Sequence, residues 1–236
     1  MIAVAPSFSE AELLSLWEKG FSLGAAGRAL ALAEAGGGAE PGTAADLPIG
    51  RRDAILLSLH ESWFGERLRC SVTCPSCQGR LETEVSTVDL RVSAGTTGPV
   101  LSGGLELDVR PVSTADLLAV RDRRALLLRC VRSARKGKRA VPPAKLPEEA
   151  LDAVAAALPE LDPQADVSLG MSCASCAHEW GAPFDIAGYL WAVLDTHARR
   201  LLYEIHELAT AYGWTEREVL SVGPARRRFY LEAART

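Results

Sequence analysis

The stretches SVTCPSCQGR (71–80) and GMSCASCAHEW (170–180) decide the fold. Each places two cysteines on one side of a tight turn, Cys74 with Cys77 and Cys173 with Cys176, and each is flanked by strand-like sequence. Zinc prefers four soft ligands in a tetrahedron, so two such knuckles facing one another complete a closed structural site. The expectation is therefore one structural zinc held by Cys74, Cys77, Cys173 and Cys176, with no open position for a catalytic water. Two plainer readings compete: one pair acts as a redox dithiol, or all the cysteines are simply small buried residues. A redox motif sits at the start of a helix that follows a strand, and neither pair is followed by helical periodicity. His178, two residues past Cys176, could replace a ligand but reads better as a surface or supporting histidine. Cys70 and Cys130 read as buried hydrophobes.

Working outward, residues 67–73 and 80–90 are expected to form strands around the first knuckle, and 166–185 a strand region around the second. Leu105, Leu107 and Val109 alternate with Glu106, Asp108 and Arg110, the signature of a half-buried strand. Helical spacing surrounds these strands. Ser9 with Glu12 can cap a first helix carrying Leu13, Leu14 and Trp17. A second helix near 24–35 ends in three glycines, with Pro41-Gly42 continuing the loop. Ile55, Leu56, Leu59 and Trp63 mark a third helix, stopped by Gly65. A helix from Thr114 to about Val131 and another carrying Leu151, Val154 and Leu158 follow, the latter with Pro147 in its first turn. Between them, SARKGKRAVPPAK (133–145) reads as a basic, proline-containing loop. Ile186, Leu190, Leu194, Leu201, Ile205 and Leu208 form one long stripe ending at Gly213, after which Thr215 and Glu218 make a capping box.

These signals predict an α+β protein. A small zinc-ribbon-like β module, its halves supplied by 66–112 and 166–185, is surrounded by helices and followed by a helical C-terminal tail. The corresponding division is an Ala/Gly-rich helical segment (1–46), the zinc-ribbon-like core with inserted helices and the basic loop (47–185), and a C-terminal helical region (186–236). The 236-residue chain is 48% hydrophobic and 24% charged, the balance of an ordinary globular protein. Its formal charge of −4 is too mild to draw it to nucleic acid or acidic membranes as a whole. No apolar run is long enough for a membrane span, and the first residues lack the pattern of a secretory signal. A reducing cytoplasm is the expected setting, where paired cysteines bind metal more often than they form disulfides.

Phosphate-loop, zincin and hydrolase-elbow motifs are all missing, and no carboxylate pair stands out, so no enzymatic activity is expected. The basic stretch from Arg121 to Lys145 is the one segment suited to nucleic acid. It lacks interleaved aromatics for base stacking, so a solvated loop is the simpler reading.

The stretch LPIGRRDAILLSLHESWFG (47–65) followed by CPSC resembles the baseplate hub assembly chaperones of contractile-tailed phages. The second knuckle leads through Phe184-Asp185-Ile186 and Trp191 to Tyr212-Gly213-Trp214-Thr215-Glu216, then Arg227, Arg228, Tyr230 and Leu231. That order is similar to family members encoded with phage-tail-like contractile injection systems. The resemblance covers about residues 47–235. It implies a non-enzymatic assembly factor or structural component, partnered with baseplate or hub proteins. Aromatics and arginines beyond the needs of one core face, from Tyr189, Trp191 and Tyr203 to Trp214, Arg227, Arg228 and Tyr230, point to the C-terminal helices as the contact surface. Folding of those aromatics back into a core is the competing reading. A zinc-ribbon nucleic-acid-binding or regulatory protein and a thiol redox enzyme are the rival functions.

Overall fold

The computed structural model describes residues 8–38, 42–96 and 98–235. Pro41 lies outside the described residues. Ser9 caps helix α1 (Glu10–Phe21) through a reciprocal box with Glu12. Helix α2 (Ala25–Ala35) follows, and α3 (Ile49–Phe64) ends where Gly65 adopts φ 88°, a backbone that glycine alone takes without strain. The first hairpin joins β1 (Arg67–Thr73) to β2 (Arg80–Ser86). Strands β3 (Val100–Ser102) and β4 (Leu105–Val109) come next, then α4 (Thr114–Ala119) and α5 (Arg123–Cys130). They are followed by β5 (Val131–Lys136), β6 (Arg139–Ala140) and α6 (Glu148–Leu161). The second hairpin pairs β7 (Ser168–Ser172) with β8 (Glu179–Pro183) and runs directly into α7 (Ile186–Tyr212), capped by Asp185. Helices α8 (Glu216–Ser221) and α9 (Pro224–Ala234) end the described chain. Mixed helices and small antiparallel sheets agree with the α+β expectation.

Three cores form, two of them on the long helix. Leu13 and Leu16 of α1, Leu32 of α2, Leu56 and Leu59 of α3, and Leu190 and Leu194 of α7 make the first. Segment 8–38 therefore packs with α3 and α7. Gly20 lies so close to Trp191 that an added Cβ would come within 2.3 Å of its ring, and Trp17 donates its indole N–H to Asp195 at 2.7 Å. The second core lies between the antiparallel sheet β3-β4-β5-β6 and helices α5 and α6, where Leu107, Leu127, Leu151 and Val154 are buried. The third joins the far end of α7 to α1, α8 and α9 through Leu14, Leu201, Leu208, Val219 and Leu231.

Several expectations need correction. The helix expected over 114–131 is two helices, because Val120 is extended and Asp122 starts a new helix by accepting from the Ala125 amide at 2.8 Å. The strand expected over 80–90 ends at Ser86, after which Leu90 is buried in a turn. Pro147 caps α6 from outside rather than sitting in its first turn. The basic segment is loop only from 141 on: residues 133–136 belong to β5, which pairs with β4 and, through Gly137 at φ 59°, with β6. The buried members of β5 are Val131 and Ala134, too few for the alternation to stand out.

The C-terminal helices also fold back. Trp214 packs against Tyr212 and Tyr230, with ring centroids 5.1 Å away in each case. Arg227, expected at a contact surface, is 3% exposed. It donates to Glu10 at 2.7 and 2.5 Å and to Glu204 at 2.8 Å, so it ties α9 to α1 and α7. Tyr203 and Phe229 do face solvent. Among the described residues, no helix is long and apolar enough to cross a membrane.

Candidate metal centre

The two knuckles are the same backbone built twice. In the first hairpin the Cys74 amide donates to Gly79 O at 2.9 Å and the Gln78 amide to Cys74 O at 3.0 Å. In the second, the Cys173 amide donates to His178 O at 2.9 Å and the Ala177 amide to Cys173 O at 2.8 Å. Both turns are closed by a left-handed residue just after the second cysteine, Gln78 at φ 60° and Ala177 at φ 57°. The turn reverses the chain so that Thr73 pairs with Arg80 and Ser172 with Glu179. Each knuckle thereby directs one buried cysteine (Cys74, Cys173) and one exposed cysteine (Cys77, Cys176) to a common point.

The hairpins meet because both rest on the first core. Leu68 and Val85 anchor one, and Val167 and Leu169 the other. Tyr189 on α7 adds a polar tie to β1: its hydroxyl accepts from the Arg69 amide at 3.0 Å and donates to Arg69 O at 3.3 Å. The four thiol sulfurs come within 4.8 Å of one another. Cys74 Sγ lies 3.7 Å from Cys176 Sγ, and Cys77 Sγ 3.6 Å from Cys173 Sγ. A tetrahedron with metal–sulfur bonds of about 2.3 Å has edges of about 3.8 Å, whereas a disulfide needs about 2.05 Å. The cluster thus has the spacing and the soft donors of a four-coordinate metal site.

Its electrostatics point the same way. Amides of Ser175 and Cys176 directed at Cys173 pull that thiol down to about 6. At Cys77 the Gly79 amide also favours the thiolate, but hydrogen bonds shared with Cys176, Cys173 and Cys74 push it up to about 12. Four thiols this close cannot all ionise unaided, because each new thiolate repels the last. A divalent cation removes that conflict, and backbone N–H groups already aimed at the sulfurs would support the ligands.

The other candidates take other roles. His178 stacks its ring on Trp180, 15° from parallel, and the metal-capable group found among the described residues consists of the four cysteines. Cys130 is fully buried in the second core, where burial pushes its thiol up to about 11. Cys70 is half-buried against the first core, and burial raises its thiol too. One charged centre escaped the sequence reading. Asp116 is fully buried and accepts from Arg110 at 2.6 and 2.9 Å and from Arg129 at 2.8 Å. Those bonds, Arg110 foremost, hold its carboxyl well below the usual carboxylate range despite burial. A capping box with Ser113, legible as Ser-x-x-Asp, was the available signal.

Compared with known proteins, the chain matches the family described as T4 bacteriophage base plate protein over residues 38–187, a span that contains both hairpins and all four clustered cysteines. Neither the curated proteins nor the solved structures include a match. The family match covers more than half of the chain, from the loop before α3 to the start of α7, and the chain belongs to the T4 bacteriophage base plate protein family.

Proposed function

We propose that the protein is a non-enzymatic assembly factor, of the hub-chaperone kind, or a structural component for the baseplate of a contractile phage tail or phage-tail-like injection system. It works in the cytoplasm by contacts with other baseplate or hub proteins, and Cys74, Cys77, Cys173 and Cys176 hold a structural zinc that fixes its two hairpins together. The observation that carries this reading is the family match over 38–187. The four-thiol cluster supports the structural role of the metal, since four protein ligands leave zinc no position for substrate. The buried charges Asp116 and Arg227 support a scaffold in the same way, being taken up in ties between elements.

The test is deletion of the gene in a strain that makes sheathed particles. Loss of particles, restored by the intact gene, is expected. Mass spectrometry of purified particles from the complemented strain separates the two forms: presence in the finished baseplate marks a component, and absence a transient assembly factor. Normal particles in the deletion strain would end the assembly reading. Zinc-ribbon nucleic-acid binding is favoured by one observation, the exposed Arg135, Lys136, Lys138 and Arg139 of the β5–β6 hairpin, which form no ion pair among the described residues. Salt-dependent binding to a DNA or RNA duplex, abolished by glutamine at those four positions, would establish it.

A further inference from the structure

Helix α7 buries one face against the first and third cores, but another face is uncovered along about three turns, from Tyr189 to Arg200. There a groove of about 480 Å³ runs between α7, the end of α3 and strand β1. Phe64, Tyr189, Val193 and His197 give it apolar and aromatic walls, and Arg69 and Arg200 stand at it. Among the residues that line it there is no carboxylate.

Both arginines are second claimants to a carboxylate that another arginine already holds. Arg69 reaches Glu84 only at 3.7 Å, while Arg67 bonds the same glutamate closely. Arg200 reaches Glu204 only at 3.6 Å, while the buried Arg227 holds it at 2.8 Å. The side chains of Arg69 and Arg200 are 90% and 67% exposed, so positive charge is left over at the groove. Arg200 also donates to His197 Nδ1 at 3.2 Å, which holds its guanidinium at the groove. Aromatic walls with exposed arginine are the usual make-up of a protein-binding hot spot.

We propose that this groove binds an acidic, amphipathic segment of another baseplate protein, which inserts an apolar side chain against Phe64 and Val193 and offers carboxylates to Arg69 and Arg200. The inference rests on the assembly reading above and names the chemistry of the partner. Charge complementarity selects it: two exposed, under-neutralised arginines call for carboxylate acceptors. A nucleic-acid strand would also bring anions, but Val193 and Ala192 on the groove's α7 wall favour an aliphatic or aromatic side chain over a phosphate backbone.

The experiment places a photo-crosslinking amino acid at Val193, and separately at the exposed Thr196, in the full chain in particle-producing cells. Crosslinked segments are then identified by mass spectrometry. The expected product is one segment of another baseplate protein carrying apolar side chains beside Asp or Glu. Its yield should fall about tenfold or more in the Arg69→Glu/Arg200→Glu double variant. Thr196→Trp, which fills the groove from a solvent-facing position, should do the same if the double variant folds poorly. Melting temperature and metal content of the purified variants serve as the folding control. A basic segment at the crosslink, a second copy of this chain, nucleic acid, or no product at either position would overturn the proposal. Failure of the assembly reading looks different: particles would then form without the gene at all. If deletion abolishes particles but folded groove variants assemble them normally, the groove proposal alone fails.

Discussion

Two clasps sit along α7, and they close the molecule by opposite means. At its amino-terminal end the four thiols join hairpins whose closest sulfurs, on Cys77 and Cys173, are 96 residues apart. Towards its other end one guanidinium, Arg227, joins α9 to α1 and α7, and Glu10 is 217 residues away from it. The first clasp gathers four thiols that cannot all ionise unaided, and in the metal-bound form proposed above its strength comes from the ion. The second is neutralised from within, since Arg227 faces two carboxylates and also donates to Val222 O at 3.2 Å. Metal binding to deprotonated ligands is folding free energy and can be withdrawn by a chelator. A buried ion pair gives little net stability over an apolar replacement, yet breaking one partner is costly because a bare charge stays behind. Long-range closure in this protein is thus half conditional and half built in.

The largest expected effect tests the conditional clasp. Purified protein should carry about one equivalent of zinc, and stripping it should lower the melting temperature more than any single packing substitution does. Cys74→Ser and Cys173→Ser should each reproduce that loss. Cys130→Ser should keep the metal and cost about 1–3 kcal/mol, the penalty for an unpaired hydroxyl in a core. Elemental analysis with thermal melts decides it, and full stability in metal-free protein would remove the metal from the account.

The built-in clasp comes second. Arg227→Ala should destabilise by about 3–5 kcal/mol, since Glu10 and Glu204 would then lose the cation between them. Zinc content should be unchanged, because the hairpins rest on a different core. Arg226→Ala and Arg228→Ala, on either side and exposed, should stay within about 0.5 kcal/mol of the parent. Urea denaturation of the three variants provides the comparison, and similar midpoints for all three would show that the buried pairings contribute little.

The contrast also explains what could be read in advance. Cys-x-x-Cys states its own geometry: a tight turn with two donors needs few residues, all local, and its ligand chemistry requires a second such turn. The helix stripes were equally local, as were the capping pairs at Ser9–Glu12 and Thr215–Glu218, and both formed. Arg227 sits between two other arginines, and nothing in Arg-Arg-Arg says which one turns inward. That choice is made by Glu10 and Glu204, residues α1 and α7 bring to it only after folding. The β5–β6 hairpin was missed for a related reason. Its buried face is two small or medium side chains, Val131 and Ala134, so charge dominated the pattern that register with β4 later resolved. The groove on α7 was invisible because its walls come from three elements, and the surplus charge there is a matter of which arginine reaches a glutamate first.

The smallest expected effect separates the two knuckles themselves. Gln78 and Ala177 occupy equivalent left-handed positions, a conformation that costs an L-residue roughly 1–2 kcal/mol. Glycine removes that strain but loses more chain entropy on folding, roughly 0.5–1 kcal/mol. The net gain is therefore between about 0 and 1.5 kcal/mol. It should not be equal at the two sites. The Gln78 side chain returns a hydrogen bond to Pro75 O at 3.2 Å, which glycine would forfeit, whereas the Ala177 methyl has no such bond to lose. Ala177→Gly should accordingly stabilise more than Gln78→Gly, with metal content unchanged in both. Ala177→Val should move the other way, because a branched side chain crowds the left-handed backbone. Melting curves of the metal-loaded proteins give the order directly. If Gln78→Gly proved as stabilising as Ala177→Gly, the exposed side-chain bond would be worth nothing and the knuckles would be equivalent in energy as well as in shape.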